Sequence, residues 1–258
     1  MARVQSRGAC LGCGKTFTKS GMARHLAACE AAARVRPEVP SGFTGRNRKD
    51  KPGLIYRIAV EGRDANAYWM IFEVRAADRL EVIDEFLRDI WLECCGHLSD
   101  FRFPAAERAA RARASRGFDE MVQSLVRGVP PGGPFGDFFD EPGATLQDSI
   151  QSRVDKGDQF IHEYDFGSTT ELSLKVLDAF TGSMTTRSVR LLARNDPPEI
   201  LCACGQPATK VDSEYMYEDN AWMCDACAQK HAEDDEVYLL PVVNSPRVGV
   251  CGYCGPEH

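Results

Sequence analysis

Apolar and polar positions alternate along several stretches of this chain, and the clearest is Phe160 to Val176. Phe160, His162, Tyr164 and Phe166 fall on one face of a strand, and Leu172, Leu174 and Val176 on one face of another. The short Gly167-Ser168-Thr169-Thr170 connection makes the pair a β-hairpin. The same alternation occurs at Leu54, Tyr56, Ile58 and Val60, and again at Tyr68, Met70, Phe72 and Val74 beyond a turn containing Gly62 and Asn66. A second hairpin is expected there. The period then changes. Leu80, Ile83, Leu87, Ile90 and Trp91 recur at helical spacing, widened by Val82 and Phe86, with Asp78 as the expected N-cap and Glu81 three residues on.

His97 to Phe103 reads as a further strand. Residues 104–136 read as an inserted Ala/Arg-rich helix and a Pro/Gly-rich loop, with Arg108, Arg111, Arg113 and Arg116 on a solvated side. Thr145 to Asp148 starts one or two more turns that bury Leu146, Ile150 and Val154 and stop at Gly157. This order predicts an α+β domain: a β-grasp-like sheet, mixed or antiparallel, carrying one long helix. The expected organisation is a zinc finger at 1–36, a basic flexible linker at 37–53, the α+β domain at 54–194 and a Cys-rich ribbon at 195–258.

The cysteines change the picture most. Cys10, Cys13, His25 and Cys29 are spaced C-x2-C-x11-H-x3-C. Two thiolates two residues apart suit a tight knuckle, and a His and a Cys one helical turn apart complete a tetrahedron. Phe17 and Met22 supply a small apolar core. The stretch resembles a ββα zinc finger of the Cys-Cys-His-Cys kind. Its base-reading helix positions would be Thr18, Gly21 and Arg24, of which only Arg24 is a strong base reader. Weak phosphate contact through Lys15, Lys19 and Arg24, or contact with a protein, is the expectation.

Towards the other end Cys202 and Cys204 precede Cys224 and Cys227 by a nineteen-residue spacer, the pattern of a four-cysteine ribbon or knuckle. Two zinc ions are expected, one per set. A last pair, Cys251 and Cys254, is a candidate second site together with His231. Cys94 and Cys95, at the end of the long helix, have no partner pair in sequence. Neighbouring cysteines point different ways, so a small apolar role is expected of them, with a redox role beside His97 as the alternative.

Tyr56-Arg57-Ile58, the helix ending before His97-Leu98-Ser99-Asp100-Phe101, and Phe160 to Leu172 with Tyr164-Asp165-Phe166-Gly167 together resemble the plasmid pRiA open-reading-frame-three-like family. The resemblance covers about residues 54–180 around the insert, and the Tyr-Asp-Phe-Gly strand end is its most specific part. Members often carry a Trp and a His just beyond it. Ser168 to Leu172 stand here instead, as in a variant branch with a C-terminal cysteine module. In that branch Asn-Ser-Pro-Arg, here Asn244 to Arg247, and Cys-Gly-Tyr recur, while the position of Cys254 is usually not Cys. The resemblance therefore favours Cys202, Cys204, Cys224 and Cys227 as ligands. It implies a fold and no defined activity.

Charge is uneven. Residues 1–53 hold eleven Lys/Arg against three Asp/Glu, a balance of +8, and the remainder twenty against thirty-five, −15. A basic arm on an acidic body fits weak contact with a polyanion. The polar start, the absence of a membrane-length apolar run and the eleven clustered cysteines predict a reducing, cytoplasmic setting. No G-x-S-x-G, H-E-x-x-H or phosphate-cradling loop is present, and a closed four-ligand zinc site leaves no position for water. The expected function is a zinc-binding interaction or nucleic-acid-associated adaptor, with no identifiable small-molecule substrate. The alternative is a hydrolase-like enzyme with a cleft around His97, His162 and Asp165, Glu163 being the other carboxylate candidate.

Overall fold

The computed structural model describes residues 6–43, 49–104, 144–215, 218, 220–234 and 238–256. Eight of its strands form one sheet: β1 (Arg7–Cys10), β2 (Thr16–Thr18), β3 (Asp50–Gly62), β4 (Trp69–Arg75), β5 (Ser99–Arg102), β6 (Gln159–Tyr164), β7 (Thr170–Thr185) and β8 (Val189–Asn195), in the order β2-β1-β8-β4-β3-β7-β6-β5. Every pairing in it is antiparallel, so the sheet is not mixed. Both expected hairpins are present. Phe160 lies opposite Leu174 and His162 opposite Leu172, while Ile58 lies opposite Phe72 and Val60 opposite Met70.

One face of the sheet carries helix α2 (Leu80–Leu87), which continues as a π-helical turn, Arg88–Leu92. Leu80, Ile83, Leu87 and Trp91 are fully buried against Tyr56, Ile58, Met70, Phe72, Val74, Leu172 and Leu174. The capping box expected at Asp78 and Glu81 does not form. Arg79 is the N-cap, without a side-chain bond. The first amides of α2 are satisfied from outside: Leu80 N–H donates to Asp148 O and Glu81 N–H to Leu146 O, each at 2.9 Å. Asp78 is thereby free to accept from Arg187 N–H at 2.8 Å. The turns expected after Thr145 reduce to a single 3₁₀ turn, Ile150–Ser152. The insert expected at 104–136 lies, from residue 105 on, outside the described residues.

The other face is covered by the N-terminal segment. The finger has the expected ββα order, β1, β2 and helix α1 (Lys19–Leu26), and Thr18 caps α1 by accepting from Gly21 N–H at 3.3 Å. It is not separate from the sheet. Gly8 pairs with Asn195 and Cys10 with Ala193 along β8, and Met22, Leu26 and Ala32 pack on Trp69, Ile71, Leu192 and Ala193. Every residue of β4 is consequently buried. The linker expected at 37–53 is also engaged where described. Glu38 and Val189 exchange backbone hydrogen bonds at 2.7 and 2.8 Å, and Asp50 to Gly53 belong to β3 and pair with β7.

The C-terminal part forms a three-stranded sheet, β10-β9-β11, from β9 (Lys210–Asp212), β10 (Trp222–Met223) and β11 (Leu239–Pro241), with helix α3 (Asp225–Asp234) between β10 and β11. The boundary expected near Asn195 does not separate two cores, because Val211, Leu240 and Val248 join the principal one. After β11 the chain returns to the sheet. Asn244 bonds Asn195, Ser245 Oγ donates to Trp91 O at 2.7 Å, and Arg247 is completely enclosed.

Candidate metal centres

Three groups of four Cys/His donors occur among the described residues, each with all donor atoms within 4.8 Å of one another. A tetrahedral ion with Zn–S of about 2.3 Å and Zn–N of about 2.0 Å requires S···S edges of about 3.8 Å and S···N edges of about 3.5 Å. The S···S separations of 3.6–4.0 Å follow this geometry, and the S···N separations of 2.9–3.3 Å are shorter than it requires. The eleven thiols include no disulfide.

The first group is the predicted Cys10, Cys13, His25 and Cys29. Cys10 Sγ lies 3.9 Å from Cys29 Sγ, and Cys13 Sγ lies 3.3 Å from His25 Nε2. The knuckle closes through Gly14, whose φ of 73° suits glycine, with Gly14 N–H donating to Cys10 O at 2.7 Å. Burial raises the Cys10 thiol, while the Lys15 amide lowers Cys13. His25 is stacked on Phe17, with ring centroids 4.5 Å apart, so the ligand that α1 supplies is fixed by the finger's own small core.

The second group is the predicted Cys202, Cys204, Cys224 and Cys227. Cys204 and Cys224 lie 3.6 Å apart. Gly205, at φ 84°, makes the turn under the site, and the last two ligands flank the start of α3. Amides of Cys204 and Cys224 pull the Cys202 thiol down to about 6, and hydrogen bonds from the other three sulfurs push Cys227 up to about 12. Such a set loses a first proton readily and resists losing the rest, which a dication offsets.

The third group was not foreseen. Cys94, Cys95 and His97 meet Cys251, which lies 154 residues from His97. Cys95 Sγ is 3.7 Å from Cys94 Sγ, 4.0 Å from Cys251 Sγ and 2.9 Å from His97 Nε2; His97 Nε2 is 3.2 Å from Cys251 Sγ. The expected small apolar role fails on exposure, since Cys95 is exposed and Cys94 only half-buried. Adjacent cysteines diverge in a helix or a strand, but the chain has left the π turn at Glu93 and bends here. The candidate grouping of Cys251 with Cys254 and His231 is likewise not found among the described residues. Cys254 is exposed, its Sγ 3.3 Å from Gly252 O, and His231 Nε2 faces Asp212 Oδ2 at 3.3 Å.

The Tyr164-Asp165-Phe166-Gly167 strand end lies beside this group. Asp165 takes φ 64°, which turns its carboxylate inward and leaves Phe166 exposed instead of in line with Tyr164. Asp165 Oδ1 accepts from Gly167 and Ser168 N–H, and Oδ2 accepts from Arg247 at 2.6 Å. Burial alone would raise this carboxyl; Arg247 and the two amides hold it below its usual value.

The cleft that the alternative, enzymatic reading requires around His97, His162 and Asp165 does not assemble. Asp165 Oδ2 is 3.5 Å from His97 Nε2. His162, however, is sealed in the core with Nε2 at 2.7 Å from Asp84 Oδ1 and its ring against Phe101. Glu163 is paired with Arg102. Of the candidate phosphate contacts, Lys19 and Arg24 line a groove of about 600 Å³ between α1 and the sheet, with Lys175, Ser173 and Gln159. Lys19 is paired there with Glu61. Lys15 is exposed in the knuckle, outside that groove.

No helix among the described residues is long and apolar enough to cross a membrane. No family model matches the sequence, and no curated protein matches it. Among solved structures, the chain is similar to the crystal structure of a protein of unknown function from Methanosarcina mazei Go1, at 9% identity over 52% of this chain and 68% of that one, with a TM-score of 0.33.

Proposed function

We propose that this protein is a zinc-stabilised adaptor whose sites hold its surface in place for a macromolecular partner. The observation that carries this reading is the closed character of the first two centres. Each gathers four protein donors at tetrahedral spacing, leaving no coordination position for water or substrate. Thiolate-rich sets with imidazole select zinc over hard cations. The ions would be structural. One would secure α1 against the sheet, and the other would secure α3 against β9 and β10.

The partner we favour is the phosphate backbone of a nucleic acid. Lys19, Arg24 and Lys175 share one groove, and Lys19 and Arg24 belong to the basic N-terminal part of the sequence. Arg24 is exposed, whereas Lys19 is half neutralised by Glu61. With so few cations, binding would be weak, indifferent to sequence and weakened by salt, with a log–log slope of about −2 to −3. The test is fluorescence anisotropy with a labelled duplex at low and high salt. Arg24→Glu combined with Lys175→Glu should abolish the low-salt binding. Binding unaffected by this pair, or absent at low salt in the unaltered protein, would refute the reading.

A further inference from the structure

We propose that Cys94, Cys95, His97 and Cys251 form a third zinc site, a clasp that fastens the C-terminal segment to the turn following α2. Three independent features converge on it. Three of the donor separations, 3.7, 4.0 and 3.2 Å, lie near tetrahedral edges, as in the two groups with recognisable spacing, and Cys95 Sγ to His97 Nε2, at 2.9 Å, is shorter. The two segments that supply the donors also take unusual backbone conformations there. Gly96 has φ 76°, Cys251 has φ 50° and Gly252 has φ 72°. A positive φ at a non-glycine residue is uncommon and needs a compensating contact, and at Cys251 it accompanies a sulfur held 3.2 Å from His97 Nε2.

Outer support is the third feature. Arg88 fixes the loop by donating to Glu93, to His97 O and to Ser99 Oγ, each at 2.8 Å. Glu93 Oε1 in turn accepts from Gly96 N–H and from Tyr164 Oη. Arg247, with no exposed surface, directs Nη2 to Asp165 at 2.6 Å and to Cys94 Sγ at 3.6 Å. A buried guanidinium donating to a sulfur is the outer-shell partner that supports a metal-bound thiolate. Three thiolates around a dication leave one negative charge, which this cation faces.

The clasp differs from the other two centres in exposure. Cys10 and Cys202 are buried, whereas no donor of the third group is. Its ion should therefore leave first when a chelator competes. Release would free the Gly249 to Gly252 turn and the Gly96 turn, while Ser245 and Arg247 stay anchored by their own hydrogen bonds and Tyr253 by its burial.

The test is native mass spectrometry with elemental analysis of the full chain, purified under reducing conditions with zinc. Three zinc ions per chain are expected, two in Cys251→Ser and three in Cys254→Ser. A chromophoric chelator should remove one equivalent faster than the others, and that fast equivalent should be missing in Cys251→Ser. His97→Cys retains a fourth donor and should still carry three, which separates loss of a ligand from misfolding. Two zinc ions in the unaltered chain, with Cys94, Cys95 and Cys251 open to alkylation, would overturn the clasp and leave the other two sites standing. Three ions retained in Cys251→Ser would overturn it as well.

Discussion

Arg247 Nη2 donates to Asp165 Oδ2 at 2.6 Å, and the two side chains are 0% and 5% exposed as residues. This pair joins the returning C-terminal segment to the end of β6. Arg247 Nη1 adds Ser168 O at 3.0 Å and Thr170 Oγ1 at 2.9 Å, and its guanidinium and that of Arg88 each lie 4.8 Å from the Tyr164 ring. Removing one member leaves the other as an enclosed, uncompensated charge. Arg247→Met should cost about 3–5 kcal/mol in urea unfolding at neutral pH. Adding Asp165→Asn should recover part of that. A loss below about 1 kcal/mol would show that the pair does not fasten the segment.

A second buried pair sets an acid limit. Burial would raise Asp84, but the hydrogen bond and charge of His162, with Arg88 at 2.8 Å, bring it down to about 2. Its folded value lies below its unfolded value of about 3.9, so the stabilisation is complete above that value and is lost as pH falls towards 2. The amount is about 2–3 kcal/mol. Urea midpoints measured between pH 5 and pH 2 should fall more steeply for the unaltered protein than for Asp84→Asn. Parallel curves would contradict the assignment.

The seam between finger and sheet can be opened at one glycine. A Cβ on Gly8 would meet Arg194 O at 2.2 Å, a backbone contact that no rotamer relieves. Gly8→Val should therefore part β1 from β8. Hydrogen exchange should show lost protection in β1 and α1, with β3, β6 and β7 unchanged. Protection retained in β1 would mean that this register is not the one the protein adopts.

Much of this architecture was legible because alternation and helical period are local signals. The two hairpins, α2 and the first two groups of Cys/His donors are readable from residue spacing alone. What escaped has physical causes. Tyr68-Trp69-Met70-Ile71-Phe72 is apolar on both faces, the mark of a strand covered twice. The alternation reading groups Tyr68, Met70 and Phe72 on one face and leaves the second covering, by Met22 and Leu26 on Trp69 and Ile71, unaccounted for. Phe166 follows the alternation in sequence but not in space, because Asp165 reverses the chain with a positive φ. The third cluster has no spacing to read, since its fourth donor comes from a remote segment. The remaining signals in the sequence are two adjacent cysteines beside a histidine, and a C-terminal cysteine pair with no partners nearby. In the capping of α2, a tertiary partner at Leu146 and Asp148 prevailed over the local Asp78–Glu81 pattern.

Removal of metal should act unevenly. Residues 10–29 bury too little on their own, so chelation should expose α1 and the ribbon around α3 while the antiparallel centre stays protected. Hydrogen exchange with and without chelator distinguishes this from a single global transition, which would place the metal centres inside one cooperative core.

On the proposed function, closed, sulfur-rich metal sites hold the N-terminal finger and the C-terminal ribbon in place. Zinc K-edge X-ray absorption on the purified full chain tests it most directly. Four-coordinate zinc with sulfur at about 2.3 Å, a minority of nitrogen at about 2.0 Å and no oxygen is the predicted spectrum. Zinc coordinated mainly by oxygen or water, or a purified protein without zinc, would contradict the account.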